Sequence, residues 1–85
     1  MSLTVAPNPF ATETMISYSV DKDSKVSLEL YNMLGMKIST LSDTQAEAGI
    51  DYSFRLSRPA GPEQLLLLVL RSEYGIVTKR ILLTH

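Results

Sequence analysis

An all-β domain, an immunoglobulin-like antiparallel β-sandwich of about seven short strands, is what this sequence predicts, and three observations predict it. Apolar residues recur with a period of about two rather than 3.6, which is strand rather than helix spacing. The segments between them are rich in Asp, Ser, Gly and Pro, the residues that turns favour. Turn signals fall roughly every 8 to 12 residues, as a sandwich of this class requires. The 85 residues suffice for one domain, which at this size hides only about 60 to 65% of the surface that its unfolded chain exposes.

The elements follow in order. Leu3 to Val5 opens the chain as a strand, and Pro7-Asn8-Pro9 stops it, because two prolines remove two backbone donors and hold their neighbours extended. Ile16, Tyr18 and Val20 alternate with Ser17 and Ser19, placing three apolar side chains on one face of a second strand. Asp21-Lys22-Asp23-Ser24 is the turn. Val26, Leu28 and Leu30 alternate with Ser27, Glu29 and Tyr31 in the clearest half-buried strand of the sequence. At Asn32-Met33-Leu34-Gly35 the glycine is free to take a positive φ, so the chain reverses into a hairpin with a strand over Met36 to Leu41. Ser42 to Ala48, polar and small, is expected to cross between sheets or edges.

After Gly49, the residues Tyr52, Phe54 and Leu56 alternate with Ser53 and Arg55, and Arg58-Pro59-Ala60-Gly61-Pro62 breaks the chain again. Leu65 to Leu70 is apolar without alternation, as in a central strand apolar on both faces or one covered by a partner. Too much apolar surface lies there for one sandwich face, so complete burial between the sheets or a homodimer seam is expected. Pro62 and Gly75 bracket too short a span for a helix. Ser72-Glu73-Tyr74-Gly75 turns the chain, and Ile76 to Leu83 closes the domain. Period-two spacing puts Val26, Leu28, Leu30, Tyr52 and Phe54 at the centre of the core.

Composition narrows the function. Eight Lys plus Arg against nine Asp plus Glu give a net charge of -1, scattered without a block of either sign, so no footprint for nucleic acid or anionic lipid is present. The longest apolar run, Leu65 to Leu70, falls far below the roughly 20 residues of a membrane-spanning helix. There is no cysteine, hence no disulfide framework and no thiolate metal site. His85, the one histidine, ends the chain, where fraying leaves a catalytic group unpositioned. No Gly-x-Ser-x-Gly, phosphate-cradling glycine loop or His-Glu-x-x-His spacing occurs. The reading is a protein that is not an enzyme and needs no cofactor.

Two binding chemistries have candidate residues. Asp21 and Asp23, with Asp43 or Asp51 as a third, offer oxygens to a calcium ion, which takes six to eight ligands; a solvated turn accounts for them better. Tyr18, Tyr31, Tyr52 and Tyr74 offer flat faces to sugar rings, but Tyr18 and Tyr52 fall in phase with core positions and no Trp accompanies them.

The order of features is more specific than any one of them. Val5-Ala6-Pro7-Asn8-Pro9-Phe10 is followed by Ile16-Ser17-Tyr18 and then by the run from Val26 through Tyr31-Asn32-Met33-Leu34-Gly35 to Ile38. Ala48-Gly49 and Thr78-Lys79-Arg80-Ile81-Leu82-Leu83 complete the series. In this order the chain resembles, over essentially its whole length, the type A carboxy-terminal sorting domain of the type IX secretion system. It departs from that pattern after Ala-Gly: such domains usually continue into a short aliphatic-Tyr strand, whereas here Pro62-Glu63-Gln64 precedes the leucine run.

The resemblance implies an address label. The single sorting domain would span residues 4–85, residues 1–3 being an addition ahead of it, with the functional part of a larger parent upstream. Its partners would be the outer-membrane type IX translocon and a sortase-like peptidase that removes the domain and joins the cargo to lipopolysaccharide. The protein would pass through the periplasm to the cell surface of a Gram-negative bacterium without inserting into a membrane itself. Strand edges and the terminal hairpin are natural surfaces for recognition, and the residues assigned to it are Gly75, Thr78, Lys79, Arg80, Ile81, Leu82 and Leu83. The alternative is an immunoglobulin-like adhesion or carbohydrate-binding accessory domain.

Overall fold

The computed structural model describes residues 1–84; His85 lies outside them. Seven strands and no helix make up the described residues: β1 Ser2–Ala6, β2 Glu13–Ser19, β3 Ser24–Tyr31, β4 Lys37–Ala46, β5 Tyr52–Ser57, β6 Leu65–Ser72 and β7 Gly75–Leu82. They form a three-stranded sheet in the order β1-β2-β5 and a four-stranded sheet in the order β4-β3-β6-β7, every pairing antiparallel. The two sheets pack as an immunoglobulin-like sandwich.

The alternation in sequence becomes the two faces of each sheet. From the smaller sheet Leu3, Ile16, Tyr18 and Leu56 enter the core; from the larger come Val26, Leu28, Leu30, Leu66, Leu68, Leu70 and Ile81. Leu28 is fully buried, and hiding such a side chain contributes about 1.5 to 3 kcal/mol. Tyr18 and Tyr52 are directly opposed across β2 and β5 and stack with ring centroids 5.4 Å apart.

Three expectations are corrected. Tyr52 and Phe54 are half-buried and pack against the core rather than at its centre. The reason is the position of β5, an edge strand with a neighbour on one side only. Ser42 to Ala48 does not cross as a loop, because β4 continues to Ala46. As an edge strand with most side chains in water, β4 needs no apolar alternation, and its register shifts at two places against β3. Leu65 to Leu70 is not wholly buried between the sheets. Leu66, Leu68 and Leu70 face the core, whereas Leu65 and Leu67 lie half-buried on the outer face; Val69, on that outer face, is covered by neighbours on both sides. The outer face of β6 is covered only in part, by side chains of the flanking strands: Tyr31 and Arg80 stand opposite Leu67, and Glu29 and Thr78 stand opposite Val69.

β1 begins at Ser2, which pairs with Ser19, and Leu3 is buried.

Candidate functional site

The segment assigned to recognition is the last strand, and the structure ties it to the opening of the chain. Pro7 and Pro9 lack backbone donors, so this stretch cannot run beside a strand edge as an ordinary partner. Asn8 supplies what they lack. Its carboxamide has a donor and an acceptor side by side, like a peptide group. Nδ2 donates to the Arg80 carbonyl at 2.8 Å, and Oδ1 accepts the Leu82 N–H at 3.0 Å.

Phe10, buried, then takes over with its backbone. Its N–H donates to the Leu82 carbonyl at 3.0 Å, its carbonyl accepts the Thr84 N–H at 2.9 Å, and it forms a parallel bridge with Leu83. On the other flank the Leu83 N–H donates to the Gln64 carbonyl at 2.9 Å. The Arg58 guanidinium completes the arrangement by donating to the carbonyls of Ala11 and Thr84. Thr14, buried, donates its hydroxyl to the Pro7 carbonyl at 2.6 Å and fixes the start of the segment. The final third of β7 is thus held on both edges, while Ile76 to Thr78 has β6 on one edge only.

Burial divides the seven assigned residues. Ile81 and Leu83 are core residues, so they act through packing. Thr78, Lys79, Arg80 and Leu82 are exposed and present what a partner could read; Gly75 stands at the turn before them. Thr78 and Arg80 stand opposite Val69 and Leu67 in the register, and Leu82 stands opposite Leu65. That places a cation between leucines at one end of the outer face.

The same face holds a cluster that pattern reading missed. Glu29, only 7% exposed, receives hydrogen bonds from Ser27 at 3.1 Å and Tyr31 at 3.0 Å, and ion-pairs with Lys37 and Arg71 at 3.3 Å each. Burial pushes its carboxyl up, but the hydrogen bonds from Tyr31, Ser27, Lys37 and Arg71 together outweigh burial and hold it below the ordinary range. Arg71 is raised in turn, first by Tyr31 and then by Glu29. The signal was present in sequence: Ser27, Glu29 and Tyr31 at spacing two share a strand face, with an acid between two hydroxyls.

Neither binding set is assembled. Asp21 bonds the terminal amino group at 2.9 Å, Asp23 accepts the Ala48 N–H at 2.8 Å, and Asp43 lies on the outer face of β4 opposite Ser27. Among the described residues no three His, Cys, Asp or Glu side chains gather to hold a metal ion. Of the tyrosines, Tyr18 is buried with the half-buried Tyr52 stacked on it, Tyr31 is bound to Glu29, and Tyr74 lies at the last turn beneath the Lys22 ammonium. No sugar platform forms from them. No family model matches the chain, and no curated protein matches it.

Proposed function

We propose that this domain is a carboxy-terminal secretion signal, not an enzyme, that directs a larger cargo through the outer-membrane type IX translocon. A sortase-like peptidase would then remove it at the cell surface. The observation that carries the reading is the joining of two motifs. Pro7-Asn8-Pro9-Phe10 and Thr78 to Leu83, which in sequence only resemble the two ends of such domains, are in contact through Asn8 and Phe10. A label that stays folded while its cargo is carried needs a terminal strand that does not fray, and fraying is the ordinary fate of chain ends. The exposed Thr78, Lys79, Arg80 and Leu82 then form a fixed pattern for a partner.

The test is a fusion of residues 1–85 to a foreign reporter carrying an amino-terminal export signal, expressed in a strain with an active type IX system. Reporter at the cell surface is the expected result. A folded fusion held in the periplasm overturns the reading and returns the domain to the adhesion class.

A further inference from the structure

The core-facing positions of β3 run Ser24, Val26, Leu28, Leu30, and the first of them breaks the apolar series with a hydroxyl. Ser24 is 1% exposed, and its Oγ has no hydrogen-bond partner, alone in this among the buried side-chain polar atoms of the described residues. An unpaired buried hydroxyl is a cost that folded chains ordinarily avoid. Ser24 lines a cavity of about 240 Å³ at the end of the sandwich where the β2–β3 turn, the β6–β7 turn and the start of the chain meet. Burial gives this cavity a depth: Val20 and Ser24 are buried at its inner end, Val77 is half-buried on its wall, and Tyr74 is more than half exposed at its mouth. The other polar side chains of the lining already have partners. Ser72 Oγ accepts the Tyr74 N–H at 3.0 Å and donates to the Gly75 carbonyl at 3.4 Å. Asp21 takes the terminal amino group at 2.9 Å, and the Lys22 ammonium stands 5.2 Å from the centroid of the Tyr74 ring.

We propose that this cavity binds a small neutral phenol, one aromatic ring whose hydroxyl pairs with the Ser24 Oγ. Each part of that chemistry follows from the lining. Met1, Val20 and Val77 make aliphatic walls, so the body of the ligand is apolar. A cavity of about 150 Å³ suffices for benzene, and about 240 Å³ takes one substituted ring. A ring fills such a space without the rotamer entropy that a flexible chain loses on ordering, and Tyr74 offers a second ring for offset or edge contact. Ser24 supplies one hydroxyl, which both donates and accepts and so serves one polar group of either kind. A sugar, with several hydroxyls, would leave most of them unpaired. A charged group does not enter the inner end, because one neutral hydroxyl cannot offset the loss of its hydration. When filled, the cavity joins the two turns through a common ligand, and the site is independent of the sorting function proposed above.

The experiment titrates the 85-residue chain with p-cresol and, separately, with toluene, which has the same ring and methyl group without the hydroxyl, and follows backbone amide shifts. Expected with p-cresol are saturable shifts centred on Val20, Ser24, Ser72 and Val77. In Ser24→Ala the ratio of p-cresol affinity to toluene affinity should fall by about three- to tenfold, the scale of one neutral hydrogen bond. Toluene binding kept by that variant shows the cavity intact, so a loss confined to p-cresol belongs to the hydroxyl. Because Met1 forms part of the wall, the p-cresol shifts should also persist with a reporter fused ahead of it. The inference is overturned by the absence of saturable shifts at these residues, by an affinity ratio that Ser24→Ala leaves unchanged, or by loss of p-cresol binding in the fusion.

Discussion

The Asn8 carboxamide and the Leu82 backbone N–H, 74 residues apart in the chain, meet at 3.0 Å. The second arm of the same side chain reaches the Arg80 carbonyl, so one residue closes the ring that a neighbouring strand would otherwise close. Asn8→Ala should destabilise the domain by about 1 to 2 kcal/mol, two partly solvated hydrogen bonds at roughly 0.5 to 1.5 kcal/mol each with some recovery from water. Asn8→Asp should also destabilise, because it keeps the acceptor for Leu82 but sets a carboxylate against the Arg80 carbonyl. Urea titration measures the loss. Amide exchange should localise it, accelerating at Leu82 in Asn8→Ala, which removes its acceptor, more than at core amides such as that of Leu28.

Neighbouring residues of β6 test the assignment of its two faces. Leu68→Ala, on the core face, should cost about 2 to 5 kcal/mol. Leu67→Ala, on the half-buried outer face, should cost no more than about half of that. Equal losses would mean that a partner or a second copy covers the outer face, and sedimentation would find the association.

Leu28→Ala should be the more damaging of two substitutions that the alternation alone cannot rank. At a fully buried site it costs about 2 to 5 kcal/mol, a large share of the roughly 5 to 15 kcal/mol of a whole domain. Phe54→Ala, on the edge strand, should lose less despite removing a larger side chain. Thermal melts of the two variants give the order.

Glu29 makes stability depend on acid. Its carboxyl is held below the ordinary range in the folded protein, so the unfolded chain binds the proton more tightly. The stabilisation is complete above the unfolded value of about 4.3 and is lost as pH falls through the lower folded value. Glu29→Gln should flatten the stability profile below about pH 5, read from urea midpoints between pH 3 and 7. A variant as acid-sensitive as the parent would show that other carboxylates carry the effect.

Most strands were legible because alternation is a local signal. Ile16-Tyr18, Val26-Leu28-Leu30 and the turn at Gly35 each declare themselves within a few residues. What escaped was decided by neighbours in space. The polar half of β4 has no alternation to read because one of its edges and most of its side chains meet water. Tyr52 and Phe54 have the right phase, but phase does not distinguish an edge strand from a central one. At the candidate site the terminal segment and the Pro-Asn-Pro opening are each recognisable in sequence, yet the bond between them is not, since no periodicity links residues 8 and 82. Met33, Leu34 and Met36, each more than half exposed, read only as part of a reversal, because turn chemistry fixes the backbone and leaves the side chains open.

The clasp on β7 also has a meaning in time. A ribosome delivers the chain from its first residue to its last, so Asn8 emerges early and waits unpartnered until residues 80 and 82 arrive. β7 itself pairs with β6, leaving the larger sheet one strand short until then. Such long-range closure comes late and slowly in folding. A prematurely terminated chain would leave the Phe10 side of the sandwich open and its apolar interior accessible to proteases. The closed domain therefore marks a chain made at least as far as Thr84, legible to anything that inspects only its surface.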